Sequence, residues 1–243
     1  MFLQSYVIPI CQFELSKSEA RIKKTIGTAF FINDTGFFMT AKHVIKDAID
    51  NLKGDGGFIG LIVKGNEGKS PDNFAVPIIS YSLAENPYDI AVGITNYKCE
   101  TPLRIKDAEA GLWREVITLG YPVTALVQKP NDFRVNIRGH KGYIQRLISL
   151  DDQAMSLEGQ EHPNSFELNF TIGYGLSGSP LIVYNAQEQI VVGVCVGSKK
   201  TEYRDSIEEY GIAQDIRPLL DWKPDCFFGK SLKEVSNLYF DKP

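Results

Sequence analysis

Three residues that lie far apart in the sequence could together carry out nucleophilic acyl transfer. Ser177 lies in the segment 175–180, where glycines stand on both sides of it, just before the apolar run 181–184. A serine attacks a carbonyl carbon when a base takes its proton and a polar group orients that base. His43, which follows a strand-like run, is the candidate base, and Asp89, which opens another, is the candidate carboxylate.

Each of these residues also has a simpler explanation. A serine in a glycine-rich segment before a strand is commonly a turn residue, and a single histidine is commonly a buried residue with a hydrogen-bond partner. Asp89 could simply begin a strand, but an unpaired charge beside an apolar strand is costly, which favours a partner such as His43. The other histidines, His140 and His162, lie in polar, turn-like sequence.

The elements that must position these residues are mainly strands. Runs of β-forming residues separated by Gly, Asn, Asp and Pro predict a sandwich or barrels. The predicted strands are 58–63, 74–81, 89–94, 115–121, 133–137, 166–170, 180–184 and 190–196. Helices are predicted only just after His43, over 215–222 and over 231–240, where Ser231 and Glu234 have the spacing of a capping box.

Composition argues against several classes of function. The net charge of −4 and the pI near 5.5 give no basic footprint for nucleic acid. The chain has no apolar run of the length that spans a membrane and no positively charged start, so we expect no membrane partner, no signal peptide and a cytoplasmic location. Four cysteines without a CxxC spacing are expected to be reduced thiols. Because the three histidines are dispersed, we expect no metal site. The segment 65–70 ends like a phosphate-binding loop but has Val63 where that pattern needs glycine, so we expect no cofactor.

Three separated segments carry a family resemblance. Residues 26–45 form a pattern of strand, turn, strand and histidine, residues 116–122 an apolar strand ending in Gly-Tyr-Pro, and residues 175–180 the serine segment. Together they resemble the chymotrypsin-like serine peptidases, and within them the HtrA-type bacterial branch. The order His, Asp, Ser is also that of this superfamily and differs from the orders in subtilisins and α/β-hydrolases.

The resemblance implies an all-β fold of two packed antiparallel six-stranded β-barrels, as in chymotrypsin, with short C-terminal helices. It implies an N-terminal extension at 1–24, a first barrel at 25–106, a second barrel at 107–218 and a helical tail at 219–243. The polar stretch 101–111 would connect the barrels.

The resemblance also assigns catalytic roles. His43 would act as general base, Asp89 would orient the imidazole, and Ser177 would be the nucleophile. The backbone N–H groups of Gly175 and Ser177 would form the oxyanion hole, since glycine allows the backbone conformation that aims the first of them.

Substrate-binding residues follow from the same resemblance. The floor of the specificity pocket would be Thr171, with Ile172 beside it and Gly211 on the opposite wall. None of the three is acidic, so a small or medium uncharged side chain is expected before the cleaved bond. An edge strand would pair with an extended substrate through Cys195, Val196 and Gly197.

Two departures from the family pattern limit what is carried over. Leu176 stands where secreted trypsins have an aspartate, so activation by an ion pair with a new amino terminus is not expected. The segment after residue 216 is too short for the PDZ domain that usually follows an HtrA-type protease unit.

The sequence therefore predicts a serine endopeptidase that acts on peptides or proteins. Two alternatives stay open, a catalytically silent peptide-binding module with the same fold and an esterase-type acyl hydrolase. The segment 199–209 has seven charged residues among eleven, so we expect it to be weakly anchored and to become ordered by substrate or by an activating partner protein.

Overall fold

Strands account for most of the fold, as the sequence predicts. The computed structural model describes residues 3–16, 19–50, 52, 57–64, 73–129, 132–149, 163–185 and 188–237. The first sheet consists of β1 (Val7–Ser16), β2 (Glu19–Phe31), β3 (Phe37–Ala41), β4 (Phe58–Lys64), β5 (Asn73–Leu83) and β6 (Ile90–Thr95). The all-β prediction is confirmed.

The first sheet is a closed barrel in the order β1-β2-β3-β6-β5-β4, and every neighbouring pair is antiparallel. Its interior is filled by side chains with no exposed surface, among them Ile8, Phe30, Phe38 and Met39. Closure depends on β1, which pairs with β2 and, at Ile10 opposite Leu61, with β4. The segment 1–24, predicted as an extension, therefore supplies β1 and the start of β2 to the barrel.

The second sheet is built from β7 (Leu103–Ile105), β8 (Glu115–Gly120), β11 (Arg138–Ile148), β12 (Ser165–Leu168), β13 (Pro180–Asn185), β14 (Glu188–Tyr203) and β15 (Ser206–Asp215). The order is β13-β8-β11-β12-β15-β14-β7, and β13 also pairs with β14, so the ladder returns to its first strand. The strand β7 lies outside this ring and pairs in parallel with β14. It therefore joins the second sheet, although 25–106 was predicted as the first barrel.

A separate hairpin contains β9 (Leu126–Lys129) and β10 (Asp132–Val135). The predicted strand 133–137 belongs to this hairpin and not to the second sheet. The hairpin follows a 3₁₀ turn, Val123–Ala125, that lies next to the serine segment through the hydrogen bond from Val123 N–H to Tyr174 O.

Helices are short, and two of them differ from the prediction. The helix α1 (Lys42–Asp50) begins directly after β3, and α2 spans Leu232–Ser236. The predicted helix 215–222 is only a 3₁₀ turn, Arg217–Leu219, because Asp215 ends β15 and its carboxylate accepts hydrogen bonds from Arg217. In α2 the predicted capping box is present, whereas residues 238–240 of the predicted helix lie outside the described residues.

The two sheets share part of their hydrophobic core, and the second sheet also has a buried cluster of its own. Tyr121, Ile182 and Val194 of the second half pack in the same buried cluster as the interior of the barrel. The Tyr121 hydroxyl also donates to the Val7 carbonyl at 2.8 Å. The segment 175–180 contacts β2 directly, because the Ser177 carbonyl accepts the Thr28 N–H.

Two smaller findings concern the chain as a whole. The four cysteines are free thiols. In the described segments, no helix combines the length and apolar character needed to cross a membrane.

Candidate active site

His43 and Asp89 are brought together by the pairing of β3 with β6. Ala41 lies opposite Ile90 in this ladder, so the residues that flank the two strands on that side meet. The Asp89 carboxylate contacts His43 twice, at the imidazole Nδ1 at 2.5 Å and at the backbone N–H at 2.8 Å. A carboxylate bound at two points of one residue fixes the ring orientation and leaves Nε2 as the ring nitrogen available for proton transfer.

The position of Asp89 is itself supported from both sheets. Lys42 donates its ammonium to Ala84 O at 2.8 Å and to Asn86 Oδ1 at 3.1 Å, and thereby holds the loop that leads into Asp89. From the second sheet, the buried side chain of Gln214 accepts the Asp89 backbone N–H at 2.7 Å. The carboxylate therefore depends on contacts that extend well beyond its own strand.

Ser177 lies in a tight loop that packs closely against β2. Its carbonyl accepts the Thr28 N–H at 2.9 Å. Gly178 has a φ of +89°, and a Cβ there would lie 1.9 Å from the Thr28 carbonyl oxygen, so only glycine fits. Leu176, beside the serine, is buried in the core of the second sheet.

Thr28 binds this loop at a second point. Its hydroxyl donates to the Gly175 carbonyl at 2.7 Å and accepts the Tyr121 N–H at 3.0 Å. A residue of the first barrel therefore fixes the loop that precedes Ser177 in the second sheet.

The backbone N–H groups of Gly175 and Ser177 were predicted to form an oxyanion hole. Within the described part of the chain, neither group donates to a protein acceptor. Gly175 has a φ of +91°, and a Cβ there would lie 2.4 Å from the Tyr121 carbonyl oxygen. Donors that are held rigidly and not engaged elsewhere can stabilise a developing negative charge.

Ser177 and His43 line the same cleft, which has a volume of about 430 Å³. The cleft is lined by Ile26, His43, Asp47, Ile172, Gly173, Tyr174, Gly175, Ser177, Val196, Gly197, Ser198 and Glu209. The Ser177 hydroxyl donates to the Val196 carbonyl at 3.3 Å. Proton transfer to His43 therefore requires the Ser177 O–H bond to turn from the Val196 carbonyl toward the imidazole.

The pKa of His43 lies above its ordinary value because opposing effects do not cancel. Burial lowers the pKa, whereas the hydrogen bond to Asp89 and the negative charges of Asp89 and Asp47 raise it by more. Asp47 lies one turn after His43 on α1 and lines the same cleft. This second carboxylate was missed from the sequence, although its i, i+4 spacing in the predicted helix is a signal that could have found it.

The predicted substrate-binding residues divide into two groups. Ile172, Val196 and Gly197 line the cleft, whereas Thr171 is exposed outside its lining. Gly211 lies behind Ile172, because a Cβ at 211 would approach Ile172 Cγ1 to 2.8 Å.

The predicted role of Cys195 needs a correction. Its N–H donates to Ser179 O and its carbonyl accepts the Gly178 N–H, so its backbone groups hold the serine loop and are not open to a substrate. Its thiol is fully buried beside the Thr118 hydroxyl.

The charged segment 199–209 is a β-hairpin and not a weakly anchored loop. The strands β14 and β15 pair continuously from Lys199 opposite Tyr210 to Tyr203 opposite Ser206. Arg204 at the tip has a φ of +52°, which suits a tight turn. The prediction of a loop was wrong, because charged side chains on an exposed ribbon do not prevent main-chain pairing. Ordering of the segment by a substrate or by an activating partner protein stays a prediction.

Of the two remaining histidines, His140 does not line the cleft. His140 lies in β11 and stacks on Phe170 with ring centroids 5.6 Å apart, so it is not in a turn. His162 lies outside the described residues.

Comparison with known proteins identifies one family. The family model described as the trypsin-like peptidase domain matches residues 27–194, which is more than half of the chain and includes His43, Asp89 and Ser177. No curated protein shows a significant match to the chain.

Proposed function

Because this chain belongs to the family of trypsin-like peptidase domains, we propose that it is a serine endopeptidase in which His43, Asp89 and Ser177 form the catalytic triad. The proposal rests on one observation: the Asp89 carboxylate contacts both the imidazole ring and the backbone N–H of His43. This contact orients the imidazole toward the cleft that also contains Ser177.

Each of these groups has one role in the proposed reaction. Ser177 Oγ gives its proton to His43 Nε2 and forms a bond to the substrate carbonyl carbon, while the N–H groups of Gly175 and Ser177 hold the oxyanion. His43 then gives the proton to the leaving amine as the peptide bond breaks, which leaves an acyl-enzyme. Water, deprotonated by His43, hydrolyses the acyl-enzyme and restores the serine.

The substrate is proposed to be an extended peptide or an unfolded segment of a protein. The edge of β14 at Val196 and Gly197 borders the cleft and can pair with it through main-chain hydrogen bonds. Ile172 offers an apolar wall to the side chain before the cleaved bond, which supports a preference for an uncharged residue there. The ring of pairings in the second sheet supports the two-barrel arrangement of chymotrypsin-like enzymes.

One contact favours a second candidate function, a catalytically silent peptide-binding module. The Ser177 hydroxyl is engaged by the Val196 carbonyl, and a serine that kept this bond would not attack. The two functions differ in whether the hydroxyl can be acylated or phosphonylated.

Labelling with a fluorophosphonate separates them. The wild-type protein and Ser206→Ala, an exposed serine outside the cleft lining, are expected to be labelled, and Ser177→Ala is expected to stay unlabelled. Absence of labelling in the folded wild-type protein would favour the silent module. Comparison of amide with ester turnover then separates a peptidase from an esterase.

A further inference from the structure

The side chain of Glu209 lines the cleft. Glu209 lies on β15 with an exposed side chain, and no described residue forms an ion pair or hydrogen bond with it. Lys200 lies directly opposite in the β14–β15 ladder, but its ammonium contacts Glu202 at 2.5 Å. The cleft therefore presents an acid whose nearest cation in the ladder is already engaged.

The other charged groups of the cleft lining do not neutralise Glu209. Asp47 is also acidic, His43 is bound to Asp89, and the lining contains neither lysine nor arginine. Acidic groups on the walls of a concave site concentrate a negative potential within it. Asp47 is one cause of the raised His43 pKa, so the charge of Asp47 reaches the reacting groups.

Glu209 is also placed where it can meet a side chain of an extended substrate. The cleft is bordered by Val196, Gly197 and Ser198 of β14. Lys200, which lies opposite Glu209 in the β14–β15 ladder, follows two residues after Ser198. A peptide paired with this edge directs alternate side chains to one face. A side chain a few residues from the cleaved bond would thus pass the Glu209 carboxylate.

We propose that Glu209 is a specificity-determining residue that selects peptides with a lysine or arginine in the stretch paired with β14, while the residue at the cleaved bond is uncharged. The inference rests on the proposed peptidase function. Asp47 adds negative charge across the cleft but is not the residue that discriminates. Since Glu209 is exposed, its discrimination is expected to be modest and dependent on salt.

A peptide library first identifies the position at which lysine is most strongly preferred. The test then uses two peptides that differ only at this position, which holds lysine in one peptide and the uncharged norleucine in the other. We expect wild-type kcat/KM to favour the lysine peptide by about 2- to 5-fold at low salt. This ratio should approach one in Glu209→Gln and invert in Glu209→Lys. Glu208→Gln is the matched control, because Glu208 is an equally exposed neighbour that points to the other side of the ribbon and does not line the cleft.

Two outcomes would overturn the proposal, namely a ratio unchanged in Glu209→Gln or an equal loss of the ratio in Glu208→Gln. Binding of the same two peptides to Ser177→Ala, measured by fluorescence anisotropy, gives the Glu209 comparison without turnover. A protein that neither reacts with fluorophosphonate nor cleaves any peptide contradicts the peptidase function, yet the anisotropy comparison still decides the role of Glu209.

Discussion

At the scale of single residues, the protonation of His43 governs the proposed reaction. His43 must be neutral to accept a proton, so kcat/KM should rise with pH through an apparent pKa above the ordinary histidine value. The negative charge of Asp47 is one cause of the raised pKa. In Asp47→Asn the pKa should fall, and the rising part of the profile should move to lower pH.

The measurement is kcat/KM between pH 5 and 9 for the wild-type protein, Asp47→Asn and Asp50→Asn. Asp50 is a second exposed carboxylate of α1 that does not contribute to the shift of the His43 pKa, so its variant should keep the wild-type profile. A profile that is independent of pH would contradict the role of His43 as base.

We expect Thr28 to position the segment 175–180, which contains Ser177, through its hydrogen bond to Gly175. Thr28→Val removes the hydroxyl that bonds Gly175 O and Tyr121 N–H, and leaves both buried groups without that partner. We expect a loss of about 1–3 kcal/mol in the free energy of unfolding, together with a lower kcat.

Thr118→Val is the matched control for this change. Thr118 is equally buried, but its hydroxyl contacts the Cys195 thiol away from the cleft lining. In Thr28→Val we expect both the free energy of unfolding, measured in urea, and kcat to fall. In Thr118→Val we expect kcat to be retained. Equal kcat values in the two variants would show that Thr28 is only structural.

At the scale of elements, the serine loop depends on its contact with β2. Gly178→Ala would place a methyl group at the Thr28 carbonyl in a backbone conformation that alanine rarely adopts. We expect the loop to leave its place, with a lower melting temperature and loss of fluorophosphonate labelling. Gly111→Ala, which adds a methyl group in open space, should change neither measurement, and full labelling of Gly178→Ala would contradict the close packing.

Elements with a local signal could be predicted from the sequence, and those that depend on distant partners could not. The strands around His43, Asp89 and Ser177 have apolar runs bounded by turn residues, and the α2 capping box needs only residues 231 and 234. The role of 1–24 as a barrel strand depends on β4, and the end of β15 at Asp215 depends on pairing with β14.

The residues that hold the catalytic candidates in place could not be predicted from the sequence for the same reason. Gln214 contacts Asp89 across 125 residues of chain, and Thr28 contacts Gly175 across 147. Neither residue type is characteristic of catalysis, and only the packing of the two sheets brings them to the site. Glu209 could not be recognised either, because which face of an exposed ribbon borders the cleft depends on the register of β14 and β15.

At the scale of the whole molecule, the two sheets should unfold together. They share one buried cluster, and the Tyr121 hydroxyl bonds across it to Val7. We expect circular dichroism and fluorophosphonate labelling to report the same urea midpoint, because the buried cluster that joins the two halves is lost when either half unfolds. Loss of labelling well before loss of secondary structure would indicate that the halves separate first.

The bonds from Thr28 to Gly175 and from Gln214 to Asp89 have a consequence for how ligands of the cleft can be found. They tie the site to the assembled pair of sheets, so a molecule held between His43 and Ser177 binds the native state and not the unfolded chain. At a concentration 100 times its dissociation constant, such a molecule would add about 2.7 kcal/mol to the free energy of unfolding. The melting temperature thus reports how much of the protein has a ligand in the cleft. A physiological substrate could be sought by the rise that it causes in the melting temperature of the Ser177→Ala protein, before any cleaved product is known.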